Sequence, residues 1–483
     1  MAMEVGASTS RRGFLVLLAA GVVGCASGPR DSSATAGRPP NIVLVLVDDL
    51  GWADVGCYGS RYYETPNIDR LAAEGMRFTD AYAACAVCSP TRAAVMTGRY
   101  PARLGITDWI RSRFQKGITP KPGESRVEYV DQGRELLCPQ TRSALDLSET
   151  TIAELLKGAG YATCHIGKWH LGTDEFYPEK QGFDRNIGGC DFGQPPSYYD
   201  PYANKTQGGI SNLPPRREGE YLTDREADEA VKFIQENRDK PFFLNLWHYA
   251  VHTPLMAKPE LLEKYKAKPP TEQKNAVYAT MVQSVDQAMG RILAVLEELK
   301  LAENTIVIFT SDNGGLIGPT NNTPLRSGKG YPYEGGIRVP LIVRWPGHVK
   351  SGSVCGEVAT SVDFLPTLCE AARVKPSADR PIDGVSLLPV VQQQGRLGRE
   401  AIYWHFPHYR GPDVVPYSIV RAGDWKLIKR YQGKEFELFN LKDDLRESND
   451  LAEQMPQKVR ELHERLQRWL ADSGAMMPKK KDA

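Results

Sequence analysis

Charge of either sign is not in surplus in this chain: 60 Lys and Arg stand against 59 Asp and Glu, a net +1 over 483 residues. Such a balance sets up no overall field of the kind that draws a protein to nucleic acid or to an anionic membrane face. A long hydrophobic run is also missing. The apolar stretch that ends at Val23 is too short for the ~20 residues a bilayer-spanning helix needs. Cysteines number nine, an odd count scattered without framework spacing through a chain far longer than disulfide scaffolds. Cys85 and Cys88 form a C-x-x-C pair, but no second pair completes a zinc site, so only a redox reading of that motif stays open. No internal repeat is visible. What is present, 41% hydrophobic and 25% charged residues, suffices for a large core and a second, smaller domain.

The first 25 residues read as an export signal. Ser10-Arg11-Arg12-Gly13-Phe14-Leu15 resembles a bacterial twin-arginine signal, and Val22-Val23-Gly24-Cys25 resembles a lipobox with Cys25 as the acylated first residue of a lipoprotein. Plain cleavage near Ala26 and release is the alternative. Residues 26–40, rich in Ser, Ala, Gly and Pro, form a flexible tether. The expectation is an exported protein, periplasmic or at the cell surface, that meets the membrane only through a lipid at Cys25. Twin-arginine substrates fold before export, so thiols stay reduced and few disulfides are expected.

Asn41–Val47 (NIVLVLV) is a continuous apolar run, as expected of a strand buried on both faces of a sheet. It ends in Asp48-Asp49-Leu50-Gly51. Open α/β sheets place their ligands at the carboxyl ends of such strands. Burying two like charges side by side is costly unless a cation compensates, although a strand-ending turn in solvent would also accept them. Thr305–Thr310 (TIVIFT) repeats the pattern and ends in Ser311-Asp312-Asn313-Gly314-Gly315. Asp48, Asp49, Asp312 and Asn313 offer oxygen donors without clustered Cys or His, which fits a hard cation, Ca²⁺ or Mg²⁺, and disfavours zinc.

Further strands are expected at Ala162–Ile166, Phe242–Trp247 and Leu341–Arg344, with helices between them. Thr65-Pro66 opens a helix ended by Gly75, and Ser148–Ala159 reads as a second with a serine cap. The capping box Thr223-x-x-Glu226 opens a third, to about Asn237, and 273–300 is a long amphipathic helix. From about residue 400 the texture changes to short strands, Ser418–Arg421, Lys426–Arg430 and Phe436–Asn440, before a helix over Pro456–Leu470. The fold class is α/β: a large mixed, mostly parallel β-sheet flanked by helices, plus a small C-terminal antiparallel sheet with one packed helix. The expected divisions are a catalytic domain over 41–395, a C-terminal subdomain over 396–475 and a solvated basic tail over 476–483.

All of this frames Cys85–Arg99 (CAVCSPTRAAVMTGR). Ser89 suits an N-cap and Pro90 the first helical position, Ala93–Met96 continue the helix, and Gly98 ends it. Cys88 then sits one step before a helix N-terminus, where backbone N–H groups favour an anion or thiolate. Arg92 falls in the first turn, where the helix dipole opposes a cation by ~0.3–1 kcal/mol. A cation held there implies a negative group to bind; a capped helix with a buried cysteine and a surface arginine is the alternative.

The C-x-P-x-R motif followed by T-G-R resembles the maturation signature of the type I sulfatases, in which the cysteine is oxidised to formylglycine by a maturation enzyme. Other segments match that family in order: Asp48-Asp49, Gly167-Lys168-Trp169-His170-Leu171-Gly172, His252 before Thr253-Pro254, Asp312-Asn313, and Lys329 ahead of EGGIRVP. Together they span roughly residues 41–345, and the context resembles the arylsulfatase A and N-acetylgalactosamine-6-sulfatase branch. The resemblance implies a metal, Ca²⁺ or alternatively Mg²⁺, held by Asp48, Asp49, Asp312, Asn313 and the modified Cys88. It also implies that Arg92, Lys168, His170, His252 and Lys329 contact the modified residue and the sulfate, with His252 preferred over His248. In the implied chemistry one hydroxyl of the hydrated aldehyde attacks sulfur, His252 with Lys329 protonates the leaving oxygen, and His170 helps the second hydroxyl expel sulfate.

The substrate so implied is a sulfated polysaccharide or oligosaccharide, with the sugar selected by loops around 105–145, 173–222 and 403–417. Phosphate or phosphonate ester hydrolysis on the same architecture, and a lipoprotein that binds sulfated glycans without turnover, remain the alternatives. His165 reads as a core histidine, and His405 and His408 as structural rather than rim residues.

Overall fold

The computed structural model of the protein describes residues 37–111, 128–376 and 380–481. The twin-arginine segment, Cys25 and most of the tether lie outside the described residues. Among the described residues no helix is long and apolar enough to cross a membrane.

The elements used below run β1 (Asn41–Val47), α1 (Pro66–Glu74), β2 (Met76–Phe78), α2 (Cys88–Thr97), α3 (Ile152–Gly158), β3 (Ala162–Gly167) and β4 (Arg185–Ile187). They continue with α4 (Leu222–Glu236), β5 (Phe242–Trp247), α5 (Ala276–Glu298), β6 (Thr305–Ser311), β7 (Leu341–Arg344) and β8 (Ser353–Cys355). These eight strands form one sheet in the order β8-β2-β7-β6-β1-β5-β3-β4. From β6 through β4 every pairing is parallel; β7 runs antiparallel to both its neighbours. The architecture is the mixed α/β sheet expected from the pattern of elements.

β1 is apolar from Ile42 to Val47 because both its faces are covered. Val43, Val45 and Val47 enter one hydrophobic cluster with α4 and α5, while Ile42, Leu44 and Leu46 enter another with α2 and α3. Burying each such side chain stabilises the fold by ~1.5–3 kcal/mol. The register then decides where the chemistry goes. Val47 pairs with Ser311, Leu46 with Trp247, and Trp247 with Gly167. Four adjacent strands therefore end at one level, and Asp48, Lys168, His248 and Asp312 all follow on the same edge.

A second sheet of four antiparallel strands, β9 (Ile402–Phe406), β10 (Tyr417–Ala422), β11 (Trp425–Arg430) and β12 (Phe436–Asn440), packs under α6 (Pro456–Asp472). Its first strand was not expected from the sequence. Ile402, Trp404 and Phe406 share a core with Tyr82, Cys85 and Val87, just upstream of Cys88. The Trp404 indole donates to the Ala83 carbonyl at 2.7 Å.

Three local expectations are corrected. α3 begins at Ile152, not Ser148: Thr151 is the cap, in a reciprocal capping box with Glu154. α4 begins at Leu222, so Thr223 lies inside it, and Glu226 turns to His248 instead of capping. The basic tail is not free of the fold: Lys479–Lys480 pairs antiparallel with Leu136–Leu137, and Lys481 meets Asp131 at 2.7 Å. The side chains there stay exposed while the backbone completes a small sheet.

Candidate active site

α2 starts at Cys88 itself, with Val87 as the extended N-cap, which corrects the assignment of Ser89 as cap. The Ser89 hydroxyl has tertiary work: it donates to the His170 carbonyl at 2.9 Å and accepts from the Ile110 N–H at 3.0 Å. Cys88 is thus the first helical residue, and Arg92, one turn on, shares its face. Gly98 ends the helix in the left-handed conformation, φ 67°, as expected.

At the strand ends the charges interlock. Arg92 donates Nε and Nη2 to one Asp312 oxygen at 2.9 and 2.7 Å, and Nη1 to the Lys168 carbonyl at 2.9 Å. Lys168 Nζ meets Asp48 at 2.6 Å, and Lys329 Nζ meets Asp49 at 2.7 Å. Asn313 Nδ2 donates to Asp49 at 2.8 Å. Asp49 and His170 hold left-handed backbone conformations, φ 60° and 58°, at ~1–2 kcal/mol each for an L-residue, and sharp turns of this kind cluster at functional sites. The left-handed turn at His170 ends the extended run that β3 carries up to Lys168. Gly167, φ 91°, is required before it: a Cβ there would lie 2.1 Å from the Trp247 carbonyl oxygen.

The ten sequence-derived residues separate into two layers. Cys88, His170, His252 and Lys329 line a cavity of about 730 Å³. Asp48, Asp49, Asp312, Asn313, Arg92 and Lys168 lie beneath them, fully buried. Each Arg92 nitrogen bonds Asp312 or the Lys168 carbonyl, and the side chain is not among those lining the cavity.

Burial and the neighbouring Asp312 charge push Asp48 up to about 8 despite Lys168. Burial also acts to raise Asp49, but Lys329, His252 and Lys168 outweigh it and hold that carboxyl below the usual range. His252 is brought down to about 3 by burial and by Lys329. Its Nδ1 donates to the Thr253 carbonyl at 2.9 Å, so Nε2, 3.5 Å from Asp49, carries the lone pair. His170 is likewise driven well down, by burial and then Lys168; its Nε2–H donates to the Ile110 carbonyl at 2.6 Å and leaves Nδ1 as an open base. Burial raises the Cys88 thiol, although Lys168 and Lys329 pull the other way.

A cation fits this site on the residues present. Ligand atoms of Asp48, Asp49, Cys88 and His252 all lie within 4.8 Å of one another. One Asp48 oxygen and the Asn313 amide oxygen are buried without a hydrogen-bond partner, although buried acceptors are almost always paired. Three acids balance three cations, so a divalent ion leaves a net +2 to meet an anion.

Some residues escaped the sequence reading. Glu226 accepts from His248 Nδ1 at 2.6 Å, both buried, and fixes the turn that leads to His252. Asp54, fully buried, accepts from Tyr278, Thr320, Gln273 and the Gly51 N–H, and Tyr278 also reaches the Asp49 carbonyl at 3.2 Å. Nothing local in the sequence pairs these positions. His165, His405 and His408 are buried and bonded to Asn245, Ser418 and Thr107, away from the cavity lining. Cys85 is a free buried thiol, as are six others besides Cys57 among the described residues, so the C-x-x-C pair is not a disulfide.

A helix N-terminal residue set over buried carboxylates and ringed by Lys and His side chains defines a hydrolase of anionic esters on a mixed α/β sheet. Comparison with known proteins makes the class specific. The Sulfatase family model matches residues 40–374, and the model for the C-terminal region of N-sulphoglucosamine sulphohydrolase matches 328–473. The chain belongs to the sulfatase family and is a sulfatase enzyme. It is 36% identical to the N-acetylgalactosamine-6-sulfatase of Sus scrofa over 439 residues, 86% of this chain and 75% of that protein. It is 35% identical to a sulfatase of Formosa agariphila, over 91% of this chain and 90% of that one. Among solved structures, Ps i-CgsB in complex with k-i-k-neocarrahexaose is similar at TM-score 0.76 and 31% identity, covering 90% of this chain and 94% of that one. BT4656 in complex with its substrate D-glucosamine-2-N,6-O-disulfate is similar at TM-score 0.71 and 25% identity, covering 92% and 100%.

Proposed function

We propose that the protein removes sulfate from sulfated carbohydrates, with residue 88 acting as formylglycine and a divalent ion, Ca²⁺ or Mg²⁺, in the acid cluster. The observation that carries this reading is the pair of unpartnered buried oxygens, on Asp48 and Asn313, beside the Cys88 position. The relatives act in support: one is an N-acetylgalactosamine-6-sulfatase, and one structure holds a disulfated glucosamine.

Asp48, Asp49, Asp312 and Asn313 would hold the ion, which supplies positive charge at the sulfate oxygens when bound. Formylglycine supplies, as its hydrate, one hydroxyl to attack sulfur and a second whose deprotonation expels sulfate. The chain's own residues do the rest. Lys329, on the cavity wall, and Lys168, beneath it, hold charge against the ester, the preorganised contribution that is usually largest in such sites. Lys329 keeps its proton firmly, because Asp49 and its neighbours outweigh the burial that opposes it. It therefore stays a cation and hydrogen-bonds the departing oxygen as negative charge develops there, with His252 oriented beside it by Thr253. His170 Nδ1, open because Nε2–H is fixed on Ile110, accepts the proton of the second hydroxyl.

We also propose export by the twin-arginine route with a lipid at Cys25, on the strength of the N-terminal motif alone. Sulfate release from a panel of sulfated oligosaccharides tests the main reading, run beside phosphate and phosphonate esters and with mass spectrometry of the residue-88 peptide. Sulfate release with an aldehyde at position 88 is expected. A thiol at 88 in active enzyme, or phosphonate turnover alone, would overturn it.

A further inference from the structure

The wall of the catalytic cavity carries charge of both signs, with Asp108 and Asp191 among its acids. Three of its wall residues are cations: Arg111, Lys329 and Arg410. Lys329 is paired with Asp49 at 2.7 Å. Arg111 is paired with Asp108 at 3.1 Å and lies over the Trp109 ring at 4.4 Å. Arg410 has no ion-pair partner among the described residues, and its side chain packs on neighbouring backbone.

Two features hold it. Gly330, φ 88°, presents a bare backbone: a Cβ there would lie 2.3 Å from Arg410 Nε, so the side chain rests on the residue next to Lys329. Gly330 N–H in turn donates to the Ala86 carbonyl at 2.8 Å, two residues before Cys88. From its own side, the 410–414 turn is closed by reciprocal bonds between Arg410 and Val414, and Arg134 donates to the Pro412 carbonyl at 3.1 Å. Tyr409, which leads into the turn, accepts from the Leu136 N–H at 3.1 Å. The same lining also carries Asp191, which accepts from the Tyr177 hydroxyl at 3.1 Å, and Gln194.

Resting on the sulfatase reading above, we infer that Arg410 is a subsite for a second anionic substituent of the substrate, outward of the ester cleaved at residue 88. The substrate class is a polyanionic saccharide, with hydroxyls against Asp191 and Gln194 and a sulfate or carboxylate on Arg410. A guanidinium with no anionic partner among the described residues is suited to accept a planar or tetrahedral oxyanion through paired N–H donors.

The test uses three matched oligosaccharides: one bearing a single sulfate ester, one with a second sulfate, and one with a uronate carboxylate instead. Their kcat/KM values are compared for the full-length mature enzyme, Arg410→Ala and Arg410→Lys. The wild type is expected to favour a doubly anionic substrate by about tenfold or more, Arg410→Ala to bring that ratio near one, and Arg410→Lys to keep part of it. The arm that shows the preference identifies the second group as sulfate or carboxylate. A wild-type ratio near one in both arms, or an unchanged ratio in Arg410→Ala, overturns the inference. Equilibrium binding of the same three compounds to full-length Cys88→Ala, with and without Arg410→Ala, separates the two readings. An Arg410-dependent affinity ratio without any turnover sinks the sulfatase chemistry but keeps the subsite. Turnover without that ratio does the reverse.

Discussion

Arg92→Lys keeps the charge of the most enclosed cation in the site and removes its fork. The guanidinium makes three bonds, two to Asp312 and one to the Lys168 carbonyl, in a fully buried position. An ammonium can replace at most part of that set, and losing a buried charge-assisted hydrogen bond costs ~1.5–3 kcal/mol. Unfolding entropy of ~2.1 cal/mol/K per residue amounts to about 1 kcal/mol/K for this chain, so the melting temperature should fall by about 2–3 °C. Asp312 and Lys168 lose their common brace, and kcat on a soluble aryl sulfate should drop about a hundredfold through misplacement alone. KM should change little, because Arg92 does not line the cavity. Calorimetry and initial rates on fully matured protein measure both effects. A raised KM at unchanged kcat would show the guanidinium contacting the ground-state ester and refute the layered description; so would wild-type melting and rate.

Chelation should abolish turnover and lower the melting temperature, with both restored by Ca²⁺ or Mg²⁺, since Asp48 and Asn313 keep unpartnered oxygens without an ion; chelator-resistant melting and activity would argue against a metal there. Burial depresses His405 and His408 from 6.5 to about 4. Each contributes stability that is present above the unfolded pKa and lost as pH falls through 6.5 toward 4, by ~1.4 kcal/mol per pH unit. Urea unfolding across that range should show a shallower acid loss in His408→Gln than in wild type, and equal slopes would contradict the assignment. Gly167→Ala forces a Cβ against the Trp247 carbonyl and into a left-handed conformation; activity should fall far more than for Gly59→Ala, also left-handed (φ 108°) but with open space around it.

Residues whose meaning is local were legible in the chain. β1, β5 and β7 fall at the expected bounds because a strand buried on both faces reads as a nearly continuous apolar run, and no helix period competes with that signal. Helix starts were less legible: Ser89, Ser148 and Thr223 all carry cap-forming side chains, yet the first is spent on His170 and Ile110, the second lies outside α3 and the third lies inside α4. A capping residue is interchangeable with its neighbours until tertiary partners claim one of them.

By itself the sequence determined the five longer strands of the sheet, the order of the chemistry-bearing segments and the likeness to sulfatases, since periodicity and motif spacing are properties of nearby residues. Only the tertiary structure decided that Arg92 braces Asp312 rather than facing the cavity, that Glu226 serves His248, and that Arg410 stands beside Lys329. Those pairs are separated by 220, 22 and 81 positions; strand register sets Asp312 and His248 at one edge, and Arg92 and Glu226 reach them from α2 and α4. Contacts across such distances are set by how strands and loops pack, which no window of the sequence contains.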